Sequence, residues 1–234
     1  CGVESGSAPL RYGEGHGAPP SATSRRPVVV WTMTRRCNLH CLHCYTDSEN
    51  RCYPGELTVE EAVQMLDDLA TFKVPALLLS GGEPLMHPNF FELAQYARMW
   101  GLRLTLSTNG TLITKGIAER IAEVGFTYVG ISFDGLAEVN DRFRGMERAF
   151  VKALVGLRRL KGLGQRVGLR FTLTRRNIES LPGIFEMVER EKIDRVCFYH
   201  LVYAGRGRHL AQDDLSPAEM RQAIDTILRK TREL

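Results

Sequence analysis

The chain has 234 residues, of which 44% are hydrophobic and 25% charged, and its formal net charge at pH 7 is +4. This composition is typical of a globular domain, and no apolar run approaches the ~20 residues of a transmembrane helix. The small, dispersed positive charge predicts neither a nucleic-acid nor a membrane partner. Because no signal peptide is visible, the six cysteines predict reduced thiols in a cytoplasmic protein rather than disulfides.

The first residues differ in composition from the rest of the chain. Residues 1–27 are rich in Gly, Ser, Pro and Ala and have no apolar periodicity, which predicts a flexible tail. Cys1 suits either the start of a cut fragment or the processed terminus of a lipoprotein. We predict a single domain over residues 28–234.

From residue 28 onward, short apolar runs alternate with helical segments. The runs are rich in Val, Leu, Ile and aromatic residues, as buried parallel strands are. Six successive strand–helix units predict a parallel sheet with right-handed crossovers, and capping sequences mark two helix starts, at Thr58–Glu61 and Ser216–Glu219. Strands are predicted at 28–34, 76–80, 103–107, 128–133, 167–174 and 195–202, and helices at 58–72, 89–100, 114–124, 146–162, 178–191 and 216–232.

This pattern alone allows an open doubly wound sheet or a curved partial barrel. The polar motifs favour the barrel, because each of them follows the C-terminal end of a predicted strand. Functional groups of (β/α) barrels gather on that face.

Cys37, Cys41 and Cys44 follow the first predicted strand with the spacing C-x3-C-x2-C. Three thiolates on one loop can hold an iron–sulfur cluster or a zinc ion. Zinc needs a fourth ligand, which His40 or His43 could supply only with strained geometry. Three ligands on a four-iron cluster leave one iron open, which is what a reactive site requires.

Three further motifs follow in order: Gly81-Gly82-Glu83-Pro84, Ser107-Thr108-Asn109-Gly110 and Ile131-Ser132-Phe133-Asp134-Gly135. Together with the cysteines they resemble the radical S-adenosylmethionine (AdoMet) enzymes, over about residues 27–232. The segments PVVVWTMTRRCNLHCLHCYTDS, YPGELT, GLRFTLTRRN and RVCFYHLVYAGRGR resemble, more narrowly, the NirJ/AhbC group, which tailors tetrapyrroles in haem d1 and alternative haem biosynthesis.

The resemblance implies an α/β fold, a (β/α)6 partial TIM barrel with parallel strands inside and helices outside. Members of this group usually continue into a C-terminal region with cysteines for an auxiliary 4Fe–4S cluster. We therefore expect that region to be missing from this chain.

The resemblance also implies the cofactors. Cys37, Cys41 and Cys44 are expected to hold a 4Fe–4S cluster whose open iron binds AdoMet. A low-potential reductant such as flavodoxin or ferredoxin then drives cleavage of AdoMet to methionine and a 5′-deoxyadenosyl radical. Thr108 and Asp134 are weaker candidates for AdoMet contacts. The residues predicted to contact AdoMet are His43, Gly81, Gly82, Glu83, Ser107, Asn109 and Ser132.

Without the resemblance, these residues indicate a binding site less specifically. The two glycines would let a ligand approach the backbone, and Glu83 suits a cationic amine. The same Gly-Gly-Glu-Pro segment could be a strand-ending turn, and Asn109-Gly110 could be turn chemistry as well.

Arginines near the last two strands are candidates for binding the substrate. A guanidinium group binds a carboxylate through two parallel hydrogen bonds, and tetrapyrrole precursors carry acetate and propionate groups. Solvated surface arginines would give the same pattern. Catalytic residues are unknown beyond three candidates, Tyr199, His200 and Tyr203, and Cys52 and Cys197 have no partner at motif spacing. The predicted substrate contacts are Arg170, Arg175, Arg206 and Arg208, with Arg176 beside them.

The leading prediction is a radical AdoMet enzyme that removes or modifies acetate or propionate side chains of a sirohaem-derived tetrapyrrole. The alternative is a radical AdoMet maturase of a ribosomally made peptide. A third interpretation is an iron–sulfur or zinc module without catalysis. An electron carrier does not need an AdoMet pocket, so this interpretation does not explain Gly82, Glu83 and Ser132.

Overall fold

A computed structural model describes residues 26–233 of the chain. Cys1 and all but the last two residues of the predicted tail at 1–27 lie outside this range. Within it, no helix is both long enough and apolar enough to cross a membrane.

Six parallel strands form one sheet in the order of the sequence, β1 to β6, with β1 and β6 at its two edges. This is the sheet of the predicted (β/α)6 partial barrel. Each observed strand lies within one residue of, or inside, its predicted range. The strands are β1 Val29–Thr34, β2 Leu77–Gly81, β3 Leu104–Thr108, β4 Tyr128–Ser132, β5 Val167–Thr172 and β6 Val196–Tyr199.

Helices connect the strands, and both predicted capping boxes are present. Thr58 and Glu61 bond reciprocally to each other's backbone N–H groups, as do Ser216 and Glu219. Short 3-10 helices cover Pro84–Met86, Ile178–Ser180 and Gly205–Asp213. The α-helices are α1 Val59–Phe72, α2 Phe90–Met99, α3 Lys115–Val124, α4 Ala137–Arg144, α5 Ala149–Gly162, α6 Leu181–Arg190 and α7 Pro217–Glu233.

Alternate strand residues separate the two faces of the sheet, as the pleat requires. One face carries mainly apolar side chains, packs against the helices and forms the core. The other face, here called the inner face, is more polar and remains partly exposed. Core residues include Leu77, Leu79, Leu104, Leu106, Val129, Ile131, Val167, Leu169 and Phe171, and inner-face residues include Thr32, Thr105, Ser107, Ser132, Arg170 and Thr172.

Candidate functional site

The loop that follows β1, residues 35–53 and here called the Cys loop, gathers the three motif cysteines. Cys37 and Cys41 are buried, and they form a small cluster with Leu39. Cys44 and Met146 are half-buried and pack against that cluster. The three thiols therefore share one environment at the C-terminal end of the sheet.

Each of these sulfur atoms faces an N–H donor. The Leu39 backbone N–H donates to Cys37 Sγ at 3.4 Å, and the Ser48 backbone N–H donates to Cys44 Sγ at 3.3 Å. Arg144 Nη1 donates to Cys41 Sγ at 3.7 Å. Such donors stabilise the thiolate form, which is the form that ligates iron.

The thiols differ in acidity. Burial raises the pKa of Cys37 to about 12 and also raises the pKa of Cys41, although Arg144 opposes the rise at Cys41. Burial acts in the same direction on Cys44, but hydrogen bonds from Thr46 and Ser48 outweigh it and hold the Cys44 pKa below its ordinary value. Iron binding deprotonates a coordinating thiol, so loading the site would release protons.

The donor set suits a cluster. Between residues 26 and 233, no three histidine, cysteine, aspartate or glutamate side chains converge closely enough to hold a single metal ion. A cluster of four irons spreads its ligands farther apart than one ion does. Three thiols on one loop, each with a hydrogen-bond donor on its sulfur, suit three irons of such a cluster.

Gly81 and Gly82 let the Cys loop lie directly against the end of β2. The Gly82 N–H donates to the Thr34 carbonyl at 2.7 Å. A Cβ on Gly82 would lie 2.5 Å from the carbonyl oxygens of both Arg35 and Arg36, which is far inside van der Waals contact. The glycines thus have a packing role within the chain, besides the ligand approach predicted for them.

Glu83 is fully buried and links two motifs. Its carboxylate accepts hydrogen bonds from Thr108 Oγ1 and the Asn109 N–H, both at 2.7 Å, and from the Leu85 N–H at 3.2 Å. Burial raises the Glu83 pKa to about 7, although these hydrogen bonds oppose the rise. An AdoMet amine would share the carboxylate with donors of the chain itself.

Asn109 extends the connection to the Cys loop. Its Nδ2 donates to Asn38 Oδ1 at 2.9 Å and lies 4.0 Å from Cys37 Sγ, while its Oδ1 accepts from the Thr111 N–H at 2.9 Å. The amide is therefore largely used within the chain. Ser107 and Ser132, in contrast, are half-buried on the inner face.

Asp134, at the end of β4, is buried and forms the centre of a polar network. Its Oδ2 lies 2.5 Å from Arg144 Nη2 and 3.5 Å from His43 Nε2, and its Oδ1 accepts from the Thr172 N–H at 2.8 Å. Burial lowers the His43 pKa to about 4, so the imidazole is neutral at pH 7. The His43 ring contacts Phe143 at a tilt of 38° with ring centroids 4.8 Å apart, and its buried Nδ1 has no hydrogen-bond partner among residues 26–233.

Helix α4 contributes Arg144, which the sequence reading missed. The Phe143 carbonyl accepts from the Leu42 N–H at 2.9 Å, so the end of α4 rests on the Cys loop. Gly145 follows with φ +65°, and a Cβ there would strike the His40 carbonyl oxygen. Gly145 as a helix C-cap was the one local signal that a helix ends there.

Arg206 is bound to the Cys loop. Its Nε donates to the Cys41 carbonyl at 2.8 Å, and its Nη1 pairs with Asp47 Oδ1 at 2.7 Å. Its backbone N–H donates to the Cys44 carbonyl at 2.9 Å. Arg206 was predicted to bind substrate, but its guanidinium is mostly buried and engaged with the loop.

The other predicted substrate arginines separate into two groups. Arg175 pairs with Glu219 at 2.8 Å, and Arg208 is exposed and donates to the Gly205 carbonyl at 2.9 Å. Arg170 instead lies on the inner face, level with Ser132 of β4. Its guanidinium lies 4.7 Å from the centre of the Tyr199 ring.

The three catalytic candidates are not equivalent. Tyr199 is the last residue of β6, whereas His200 and Tyr203 lie beyond the strand beside Asp214. His200 Nε2 is 3.9 Å from Asp214 Oδ2, and the Tyr203 hydroxyl donates to the same carboxylate. Of the two remaining cysteines, Cys52 is exposed and Cys197 half-buried.

The chain matches a known protein family and several known proteins. A family model described as the Radical SAM superfamily matches residues 31–188. Fe-coproporphyrin III synthase of Methanosarcina barkeri is 50% identical over 239 residues, covering 100% of this chain and 60% of that protein. Pre-heme d1 synthase of Dinoroseobacter shibae is 47% identical over 220 residues, covering 93% of this chain and 54% of that protein.

The fold has matches among solved structures as well. Streptococcus suis SuiB bound to S-adenosylmethionine superposes with a TM-score of 0.72 at 16% identity, covering 88% of this chain and 47% of SuiB. The partial barrel, the resemblance to the tetrapyrrole-modifying group, and the 4Fe–4S cluster and AdoMet as cofactors are confirmed by these matches. The individual AdoMet and substrate contacts stay predictions. The chain spans little more than half the length of the two curated relatives.

Proposed function

Because the chain belongs to the radical SAM superfamily, we propose that it is an enzyme that cleaves AdoMet reductively and modifies carboxylate side chains of a tetrapyrrole. The observation that carries this proposal is the Cys loop, whose three thiols each face an N–H donor beside an open inner face. The similarity to two proteins named for tetrapyrrole synthesis supports the substrate class.

Cys37, Cys41 and Cys44 are proposed to ligate three irons of the cluster. When bound, the cluster supplies the electron that splits AdoMet into methionine and a 5′-deoxyadenosyl radical. Ser107 and Ser132 are proposed to meet AdoMet. Their side chains lie on the inner face near the C-terminal ends of β3 and β4.

Arg170 is proposed to anchor a carboxylate of the substrate. Its side chain crosses Gly130, where a Cβ would lie only 2.9 Å from Arg170 Cδ. Arg175 and Arg206 are paired with Glu219 and Asp47, whereas no carboxylate of residues 26–233 forms an ion pair with Arg170. A free guanidinium on an open polar surface suits the acetate or propionate of a macrocycle.

We propose the substrate, the reaction and the reductant on the same grounds. The substrate is a sirohaem-derived tetrapyrrole, and the reaction removes or modifies its acetate or propionate groups. Flavodoxin or ferredoxin supplies the electrons in the cytoplasm, where thiols stay reduced. A peptide maturase remains the alternative enzyme, and its substrate would not require a free guanidinium.

In the test, the reconstituted and reduced protein is incubated with AdoMet and a sirohaem-derived tetrapyrrole. A separate reaction contains a cysteine-containing peptide instead, and product masses are measured in both. We expect a mass change in the tetrapyrrole only. Arg170→Gln should raise KM for the tetrapyrrole at least about tenfold, the effect of about 1.4 kcal/mol in binding. Arg175→Gln, which alters an arginine already paired outside the inner face, should leave KM unchanged. Modification of the peptide alone, or an unchanged KM in Arg170→Gln, would contradict the proposal.

A further inference from the structure

Arg144 makes two contacts of opposite character at the cluster site. It is 8% exposed, and its Nη2 pairs with Asp134 Oδ2 at 2.5 Å. Its Nη1 donates to Cys41 Sγ at 3.7 Å. The Nε of the same guanidinium is buried and has no hydrogen-bond partner within the part of the chain that the structure describes.

The guanidinium is held in this position from both sides. The Asp134 carboxylate is fixed because its other oxygen accepts from the Thr172 N–H at 2.8 Å. The helix that carries Arg144 is fixed because the neighbouring Phe143 carbonyl accepts from the Leu42 N–H at 2.9 Å. Arg144 therefore cannot turn away from Cys41 without giving up its ion pair with Asp134.

A charge beside Cys41 changes the reduction potential of the cluster. Reduction adds one negative charge to the cluster, so a nearby cation and an N–H···S hydrogen bond both stabilise the reduced state. An anion beside the cation acts in the opposite direction. In this ion pair the Arg144 cation faces the sulfur and the Asp134 anion lies on the other side of the cation. The pair therefore raises the reduction potential less than an unpaired arginine would.

We propose that the Arg144–Asp134 pair sets the reduction potential of the cluster, with Arg144 raising it and Asp134 limiting that rise. This rests on the proposed function in one respect, the assignment of Cys41 as a cluster ligand. Arg144 is thus a positioning residue that acts through Cys41 rather than on substrate. The balance matters because cleavage of AdoMet needs a low potential, which a buried lone cation would work against.

The test is an EPR-monitored redox titration of the reconstituted cluster without AdoMet and without substrate. Four proteins are compared: the parent, Arg144→Gln, Asp134→Asn and Arg142→Gln. Arg142 is exposed on the same helix and serves as the matched control. At the parent midpoint, the reduced-to-oxidised ratio of Arg144→Gln should fall at least about tenfold, a shift of about 59 mV for one electron.

Asp134→Asn should shift the potential upward, and Arg142→Gln should leave it unchanged. Opposite shifts distinguish this proposal from a purely structural ion pair, whose loss would lower iron content in both variants without moving their potentials apart. If Arg144→Gln does not retain the cluster, Asp134→Asn decides: an upward shift supports the proposal. Unchanged potentials, or shifts in the same direction, would overturn it. A parent chain that assembles no cluster would instead refute the proposed function itself.

Discussion

Glu83 is a buried carboxylate whose environment predicts a specific dependence of stability on pH. Burial outweighs the hydrogen bonds from Thr108, Asn109 and Leu85 and raises its pKa from 4.5 to about 7. At 1.36 kcal/mol per pH unit, this rise lowers the free energy of unfolding by about 3 kcal/mol above pH 7. The sign follows from proton uptake. Between these two pKa values the folded state holds more protons than the unfolded state, so stability falls as the pH rises.

Glu83→Gln removes this titration. The glutamine amide group places a donor where one acceptor stood, so the variant should be less stable than the parent at about pH 5 by about 1–3 kcal/mol. By about pH 8 the parent has lost about 3 kcal/mol, and the difference should vanish or reverse. Contributions from His43 and the thiols are common to both proteins and cancel in the difference.

The assay is equilibrium urea unfolding of the metal-free, reduced protein at several pH values between about 5 and 8. Glu123→Gln, which changes an exposed glutamate of α3, is the matched control and should follow the parent throughout. A difference between the parent and Glu83→Gln that stays constant with pH would refute the raised pKa of Glu83.

Two further predictions concern the support of the Cys loop. Gly82→Ala would place a Cβ 2.5 Å from two carbonyl oxygens of the loop, so it should lower the free energy of unfolding by about 1–3 kcal/mol and reduce iron uptake on reconstitution. Gly116→Ala, at a helical glycine with no atom within 4 Å, should be neutral or stabilise by up to about 1 kcal/mol, and equal effects of the two would contradict the packing argument. Arg206→Gln removes the contacts with the Cys41 carbonyl and Asp47, so the reconstituted protein should lose iron to a chelator several times faster than the parent. Arg208→Gln should lose iron at the parental rate, and a matching rate in Arg206→Gln would show that this contact does not hold the loop.

The sheet could be predicted because local patterns determine it. Strands β2 to β5 carry two or three Leu, Val, Ile or Phe residues at alternate positions, and this alternation assigns one face to the core. The three cysteines could also be predicted from the sequence, since their spacing along one loop indicates the metal-binding chemistry. Both features depend on residues that are close together in the chain.

Helix α4 escaped prediction because it has only eight residues and few apolar positions. It is held by partners far away in the chain, such as Leu42 and Cys41. Periodicity cannot detect a helix whose stability comes from such contacts. Arg144, which touches Cys41, was missed together with the helix.

Arg206 and Glu83 make contacts within the chain that their motifs did not predict. An arginine after a strand suits a carboxylate ligand, but the 3-10 helix Gly205–Asp213 folds over the Cys loop and turns Arg206 towards Cys41. A glutamate after two glycines suits an amine, and Glu83 in addition accepts hydrogen bonds at the C-terminal end of β3. Neither arrangement has a signal in the local sequence.

Cys37, Cys41 and Cys44 are proposed to form a radical AdoMet centre. The most direct measurement is the formation of 5′-deoxyadenosine by the anaerobically reconstituted protein with dithionite and AdoMet. Cys41→Ala removes a proposed ligand, and Cys52→Ala removes an exposed cysteine outside the motif. We predict 5′-deoxyadenosine and methionine from the parent and from Cys52→Ala, and none from Cys41→Ala. No product from a parent that holds an assembled cluster, or equal product from Cys41→Ala, would contradict the claim.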